Sequence, residues 1–287
     1  MHWTPRRERF RAVLAADRCF HPGSVYDAIS ARIAEDLGFE IGMFAGSIGS
    51  MSVIGAPDLI TLTLTEFAQQ AYRINRAGGL PLMVDADHGY GNALNVKRTV
   101  EELESAGVAA LTIEDTDLPQ PFGTLGSTRL VPIAEGVGKM KAALAGRQDP
   151  SLVIVGRTSA VQVTGVEDAI ARARAYEAAG VDALFFVGIK AKAELEAIRA
   201  AVRLPLMLGG TPPALRDPAW LAANGVRVAL LGHQPFAAAV QATYAALKAI
   251  REGADPDRLP GLAPADLMKR VTREDDHRRW QQDWLAG

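Results

Sequence analysis

Asp85 and Asp87 stand two residues apart at the end of a short apolar run, Pro81-Leu82-Met83-Val84, and lead into His88-Gly89-Tyr90-Gly91-Asn92. Read as a buried strand, the run sends residues two apart to the same side. The two carboxylates then aim at one spot, where their repulsion calls for a cation. Gly89 and Gly91 let the backbone turn sharply beside them. Other apolar runs also stop at reactive residues: Ser47 follows Phe44-Ala45-Gly46, Glu114-Asp115 follow Ile113, Arg157 follows Val155-Gly156, and His233 follows Leu231-Gly232. If these ends converge, four acids, an arginine, a serine and a histidine face one mouth.

Such a set has a definite chemistry. All-oxygen ligation, with no cysteine nearby and no histidine pair at ligand spacing, favours Mg2+ or Mn2+ over zinc. The alternative is a group of separate caps and salt bridges. Arg157 at the end of an apolar strand is costly unless it meets an anion, either a substrate carboxylate or phosphate or, as a structural ion pair, Glu114. The glycine-rich turn at Gly46-Ser47 can aim backbone N–H groups at a developing oxyanion, or be a plain tight turn. A serine nucleophile is disfavoured, because no Gly-x-Ser-x-Gly elbow is present. His233 either contacts substrate and relays a proton or is a structural histidine. His88 reads as support for the acids rather than a ligand, and His277 as solvated. The segment Leu118–Thr128, rich in Gly, Pro, Ser and Thr and without Cys, Lys or His, reads as a lid or else a rigid surface loop. Nothing calls for an organic cofactor.

Strands are expected near 40–45, 81–85, 109–114, 152–156, 182–187, 204–208 and 226–231, and a short one around Cys19–His21 makes eight. Their near-continuous hydrophobicity suits parallel strands covered by helices. Helices are expected from Thr65-Glu66 to Gly78-Gly79, from Asn95 to Gly107, and over Val166–Ala179 with a stop at Gly180. The phrase Glu-Ser-Ala-Gly-Val-Ala-Ala-Leu at 104–111 recurs in the form Glu-Ala-Ala-Gly-Val-Asp-Ala-Leu at 177–184, and Ala-Asn-Gly-Val-Arg-Val-Ala-Leu at 223–230 echoes both. These are βα repeats, and eight of them make a (β/α)8 TIM-type barrel, with a doubly wound open sheet as the alternative. The barrel is expected over residues 1–253. A C-terminal helical extension follows over 254–287, where Trp280 and Trp284 share a helix face and pack either on the barrel or on a partner.

Bulk properties narrow the function. The 31 Lys and Arg against 33 Asp and Glu give a net charge of −2, which argues against a nucleic-acid partner. With one cysteine, Cys19, there is no intrachain disulfide, and a reducing cytoplasm fits best. Residues 1–20 read as a first helix, an amphipathic transit peptide being the other reading, and no segment is long enough to span a bilayer.

Ala45-Gly46-Ser47, Asp58, Asp85-x-Asp87-x-Gly-Tyr-Gly91, Ile113-Glu114-Asp115, Glu135 to Lys139 and Arg157-Thr158 together resemble the isocitrate lyase/phosphoenolpyruvate mutase superfamily. The resemblance covers roughly residues 20–250 and implies a barrel whose C-terminal helices swap between subunits of homodimers or homotetramers. It implies Mg2+, a small 2-oxo acid substrate and an enolate, with Asp85 as principal metal ligand and Asp58, Asp87 and Glu114 acting largely through waters. The lyases' Lys-Lys-Cys-Gly-His loop is replaced here by Leu118–Ser127. The stretch Asp85–Asn95, with Ser47, Arg157 and Gly232-His233, instead resembles the bacterial oxaloacetate decarboxylase branch. That branch implies decarboxylation of oxaloacetate to pyruvate and CO2, with Gly46, Ser47, Arg157 and His233 on the substrate and Asp85, Arg157 and His233 in catalysis. Ser159 after Arg157-Thr158, and a Gly209–Pro213 loop without an acid or phenol, depart from the superfamily. The other readings are a lyase or hydrolase of a related 2-hydroxy acid or of phosphonopyruvate, and a non-catalytic 2-oxo-acid-binding barrel.

Overall fold

A computed structural model describes residues 2–286 of the chain. Eight parallel strands form one sheet in sequential order: β1 (Gly23–Ser24), β2 (Gly42–Phe44), β3 (Leu82–Asp85), β4 (Ala110–Glu114), β5 (Val153–Thr158), β6 (Ala183–Val187), β7 (Leu206–Gly209) and β8 (Val226–Ala229). The open-sheet alternative fails, because the two ends of the sheet meet. Phe20 pairs in parallel with Val228, donating its N–H to Arg227 and accepting from Ala229. The first strand is thus later than the expected Cys19–His21. Phe20 makes only this single bridge at the seam, and the ladder to β2 begins at Gly23.

The helices start and stop where side chains satisfy their free ends. Thr63 caps Leu64–Arg76 in a capping box with Glu66, and Asn92 caps Ala93–Ser105 with Asn95, so both begin slightly before the expected positions. Val166–Ala179 ends as expected at Gly180, in a left-handed conformation. Ile113 and Val155 are fully buried, and strands β4 and β5 carry almost nothing but buried side chains, as a helix-covered parallel barrel requires.

Thr4–Ala15 is the expected first helix, and it closes the end of the barrel opposite the strands' carboxyl ends. Its fully buried Arg7 donates to Val108 O, Glu104 O and Asp149 Oδ2 at 2.6–3.0 Å. After β8, the last barrel helix Gln234–Arg251 has no buried residue, and the extension forms Ala265–Thr272 and Glu274–Leu285, joined by Arg273 at φ 60°. Trp280 and Trp284 stack with centroids 5.8 Å apart and remain 37% and 72% exposed, so they do not pack into this chain's own barrel.

Candidate active site

The strand register sets the site. On neighbouring strands Asp85 lies opposite Thr112, and Glu114 lies opposite Arg157. Asp85 accepts hydrogen bonds from Thr112 Oγ1 at 2.8 Å and from the Asp87 amide at 3.2 Å, and its second oxygen pairs with Arg157 Nη1. Arg157 Nη2 is 3.4 Å from Glu114 Oε2, which also accepts from Thr116 Oγ1 at 2.9 Å. The ion pair between Arg157 and Glu114 is therefore present, and Asp85 joins it. The guanidinium lies 5.6 Å from the centroid of Phe185.

Asp87 reaches the same place by another route than strand alternation. The strand stops at Asp85, and Asp87 adopts a left-handed φ of 47° in the turn beyond. There its carboxylate lies against Gly46, where a Cβ would come within 2.6 Å of Oδ1. Buried Lys139 donates to the carbonyl of His88 at 3.0 Å and pins the turn from behind.

These groups open onto a cavity of about 430 Å3 at the carboxyl ends of the strands. Asp58, Asp85, Asp87, Glu114, Arg157, Ser47 and His233 all line it. Gly46 does not line it; its role in the structure is to leave room for Asp87. Ser47 sits in the first turn of the short helix Gly46–Gly49, where backbone N–H groups lack intrahelical acceptors. Asp58 sits in the loop before Leu64–Arg76, beside Leu59 and Ile60, the latter held at φ 58°.

One expected acid is elsewhere. Asp115 is fully buried behind the cavity, 3.0 Å from Arg172 and accepting from Tyr176 Oη at 2.6 Å. It follows Glu114 directly and points to the opposite side. His88 is also buried outside the cavity, and burial, with the nearby Lys139 charge, pulls its pKa down to about 4. Thr112, Thr116 and Ser24 are further site residues beyond those that the sequence marks. Only Thr112 carried a signal, being two residues before Glu114 and so on its face of the strand.

The loop over the mouth is anchored at its stem. Thr116 bridges Leu130, the Asp117 amide donates to Arg129 O, and Val131 donates to Asp115 O. Its tip exposes Phe122 and Leu125 almost completely.

The electrostatics ask for positive charge. Burial, then repulsion by Asp85 and Glu114, pushes the Asp87 carboxyl well above the usual range, and burial raises Glu114 as well. Burial works against the charge of Arg157, but Asp85 and Glu114 outweigh it and hold the guanidinium firmly protonated. Burial lowers His233, which favours a neutral ring.

The donor set fits Mg2+. It offers hard carboxylate oxygens, and no Cys or Lys lines the cavity among the described residues. Among those residues no three His, Cys, Asp or Glu side chains converge tightly enough to enclose an ion unaided. Mg2+ suits such a site, since it keeps several waters and takes only one or two carboxylates directly.

A closed parallel barrel with an acidic cavity at the carboxyl ends of its strands defines an α/β-barrel enzyme. The chain belongs to the phosphoenolpyruvate phosphomutase family, whose model matches residues 10–251. It is 61% identical over 274 residues to an oxaloacetate decarboxylase of Bradyrhizobium diazoefficiens, covering 96% of this chain and 95% of the relative. A phosphonopyruvate hydrolase solved in complex with oxalate and Mg2+ superposes with TM-score 0.85 at 29% identity, over 98% of this chain and 99% of the other. An oxaloacetate acetylhydrolase in complex with the inhibitor 3,3-difluorooxalacetate gives TM-score 0.85 at 29% identity, over 98% and 97%. The superfamily resemblance is borne out.

Proposed function

We propose that this chain is a Mg2+-dependent oxaloacetate decarboxylase that releases pyruvate and CO2 through an enolate. The observation that carries this reading is the content of the cavity: five carboxylates (Asp58, Asp85, Asp87, Glu114 and Asp117), two arginines (Arg129 and Arg157), one histidine, and, among the described residues, neither thiol nor lysine. Loss of CO2 from C4 needs an electron sink at the C2 oxygen and no protein nucleophile. Cleavage of a 2-hydroxy acid needs a base for the hydroxyl proton, and hydrolysis of a phosphonate needs an activated water. The oxaloacetate decarboxylase at 61% identity supports the same choice.

Bound Mg2+ supplies Lewis-acid polarisation of the 2-oxo group. Asp85 would hold the ion directly, and Asp58, Asp87 and Glu114 would hold it through water. Arg157 binds a substrate carboxylate at the C1 end. Ser47, which lines the cavity in the first turn of Gly46–Gly49, shares the charge that grows on the C2 oxygen as the C3–C4 bond breaks. His233 hydrogen-bonds the substrate. The loop Leu118–Thr128 closes over the mouth and excludes water.

Residues 1–253 form the catalytic barrel and 254–287 the extension, which in our reading pairs with a second copy in a dimer or tetramer. With Cys19 as its one cysteine the chain fits a reducing compartment, and we read the enzyme as cytoplasmic; no helix among the described residues is long and apolar enough to cross a membrane.

The test is to incubate purified protein with oxaloacetate and Mg2+ or Mn2+ and follow pyruvate. Chelation should remove the activity and either metal restore it. A panel including phosphonopyruvate and 2-hydroxy acids separates the related reactions. A rate no faster than metal alone, or one unchanged in Asp85→Ala, rejects the proposal.

A further inference from the structure

β1 is two residues long, and its last residue touches the cavity's only histidine among the described residues. Ser24 Oγ lies 2.8 Å from His233 Nδ1. The contact crosses the seam where β1 and β8 close the barrel, a seam also tied by His21 Nδ1 to Ala229 O at 2.8 Å. Gly232, at φ 111°, makes the turn that brings His233 back to β1. With Nδ1 engaged by Ser24, Nε2 is the ring nitrogen left for the substrate.

We infer that Ser24 is a positioning residue for His233, donating its hydroxyl proton to Nδ1 and so holding the imidazole as the neutral Nε2–H tautomer. Two arguments fix the direction of the hydrogen bond. A neutral imidazole carries one ring proton, and on Nε2, the nitrogen that Ser24 does not touch, that proton is available to an anion in the cavity that His233 lines. That leaves the Nδ1 lone pair needing a donor, and the Ser24 hydroxyl is in reach. The consequence is chemical: an anionic 2-oxo acid meets an N–H donor at His233 rather than a lone pair that would repel it. The catalytic part of this inference rests on the decarboxylase reading; the tautomer does not.

The experiment therefore has two readouts. Nitrogen-15 NMR of histidine-labelled protein with Mg2+ present, with His233 assigned through His233→Gln, reports which ring nitrogen carries the proton. The wild type and Ser24→Thr should show Nε2–H, and Ser24→Ala a mixture of tautomers. In the oxaloacetate assay Ser24→Ala should lower kcat by about threefold to tenfold, the scale of one neutral hydrogen bond. KM should be little changed, and Ser24→Thr should recover most of the loss. Combined with His233→Gln, Ser24→Ala should cost nothing further. An Nδ1–H ring in the wild type, an unchanged tautomer in Ser24→Ala, or an equal loss in the His233→Gln background overturns the inference. A tautomer that follows Ser24 in a protein inert toward oxaloacetate sustains the positioning role and rejects the substrate.

Discussion

The carboxylate of Asp87 packs so tightly on Gly46 that a Cβ at residue 46 would lie 2.6 Å from Oδ1 and 2.7 Å from Oδ2. The atoms that would be met are the far end of the Asp87 side chain, so the carboxylate rather than the backbone must give way. Gly46→Ala should therefore displace the carboxylate while leaving the barrel intact. A shift of about 1 Å at a catalytic group can cost on the order of 100-fold in rate, and we expect a kcat loss of that size. Circular dichroism and thermal melting check that the fold survives. Near wild-type turnover would show that Asp87 moves aside without consequence.

Asp87 also sets a pH dependence with an unusual sign. A carboxyl raised above its unfolded value binds its proton more readily in the folded state, so it favours folding at low pH. That contribution erodes as pH climbs from the ordinary value of about 4 toward the raised one. For metal-free protein, the melting temperature of Asp87→Asn relative to wild type should rise across this window, since the amide carries no charge to bury. Mg2+ should narrow the difference by favouring the ionised carboxylate in the wild type. Melting curves from pH 4 to pH 8, with and without Mg2+, read the effect; a gap independent of pH would refute it.

The parts of the site visible in the sequence were those attached to a long hydrophobic run. Asp85, Glu114 and Arg157 each end such a run, and in-register pairing of parallel strands brings those ends together. The same rule, applied one residue further, would have removed Asp115 from the mouth. Adjacent residues face opposite ways, and Asp115 indeed turns back to Arg172 and Tyr176. Asp58 sits on a loop with no periodicity, and only family resemblance marked it. Ser24 was invisible because β1 is too short to leave a pattern, and its importance comes from closure against β8, a contact between residues 209 apart in the chain.

Far from the cavity, the buried Arg7 network should govern stability alone. Arg7 reaches Asp149 Oδ2 at 2.7 Å and Glu104 Oε1 at 3.8 Å, with no exposure of its own side chain. Burial by itself would raise the Asp149 carboxyl, but hydrogen bonds from Ser151, Arg7 and Thr4 together hold it well below the usual range. Arg7→Ala strands that carboxylate away from its cation, a change that costs about 3 kcal/mol. For a chain of this size that is a fall of roughly 6–12 °C in Tm, measurable by calorimetry. The KM for oxaloacetate, measured well below the transition, should stay at the wild-type value. A Tm within a degree or two of wild type would mean that water replaces the guanidinium without cost.

The exposed helices that follow β8 make a prediction about assembly. Trp280 and Trp284 lie parallel within 4° of each other, and Leu285 beside them is 78% exposed. Along Gln234–Arg251, Val240, Tyr244 and Leu247 also face solvent, in a helix with no buried residue. Monomeric proteins rarely leave apolar area of this kind uncovered, and large flat aromatics are the residues that interfaces use as anchors. With a second copy as the covering surface, the wild type should run in light scattering as a dimer or tetramer. The double variant Trp280→Glu with Trp284→Glu should shift it toward the monomer, because a carboxylate buried at such a contact lacks a partner. A wild type that is monomeric at micromolar concentration, or a variant of unchanged mass, would defeat the assembly while leaving the barrel and its chemistry untouched.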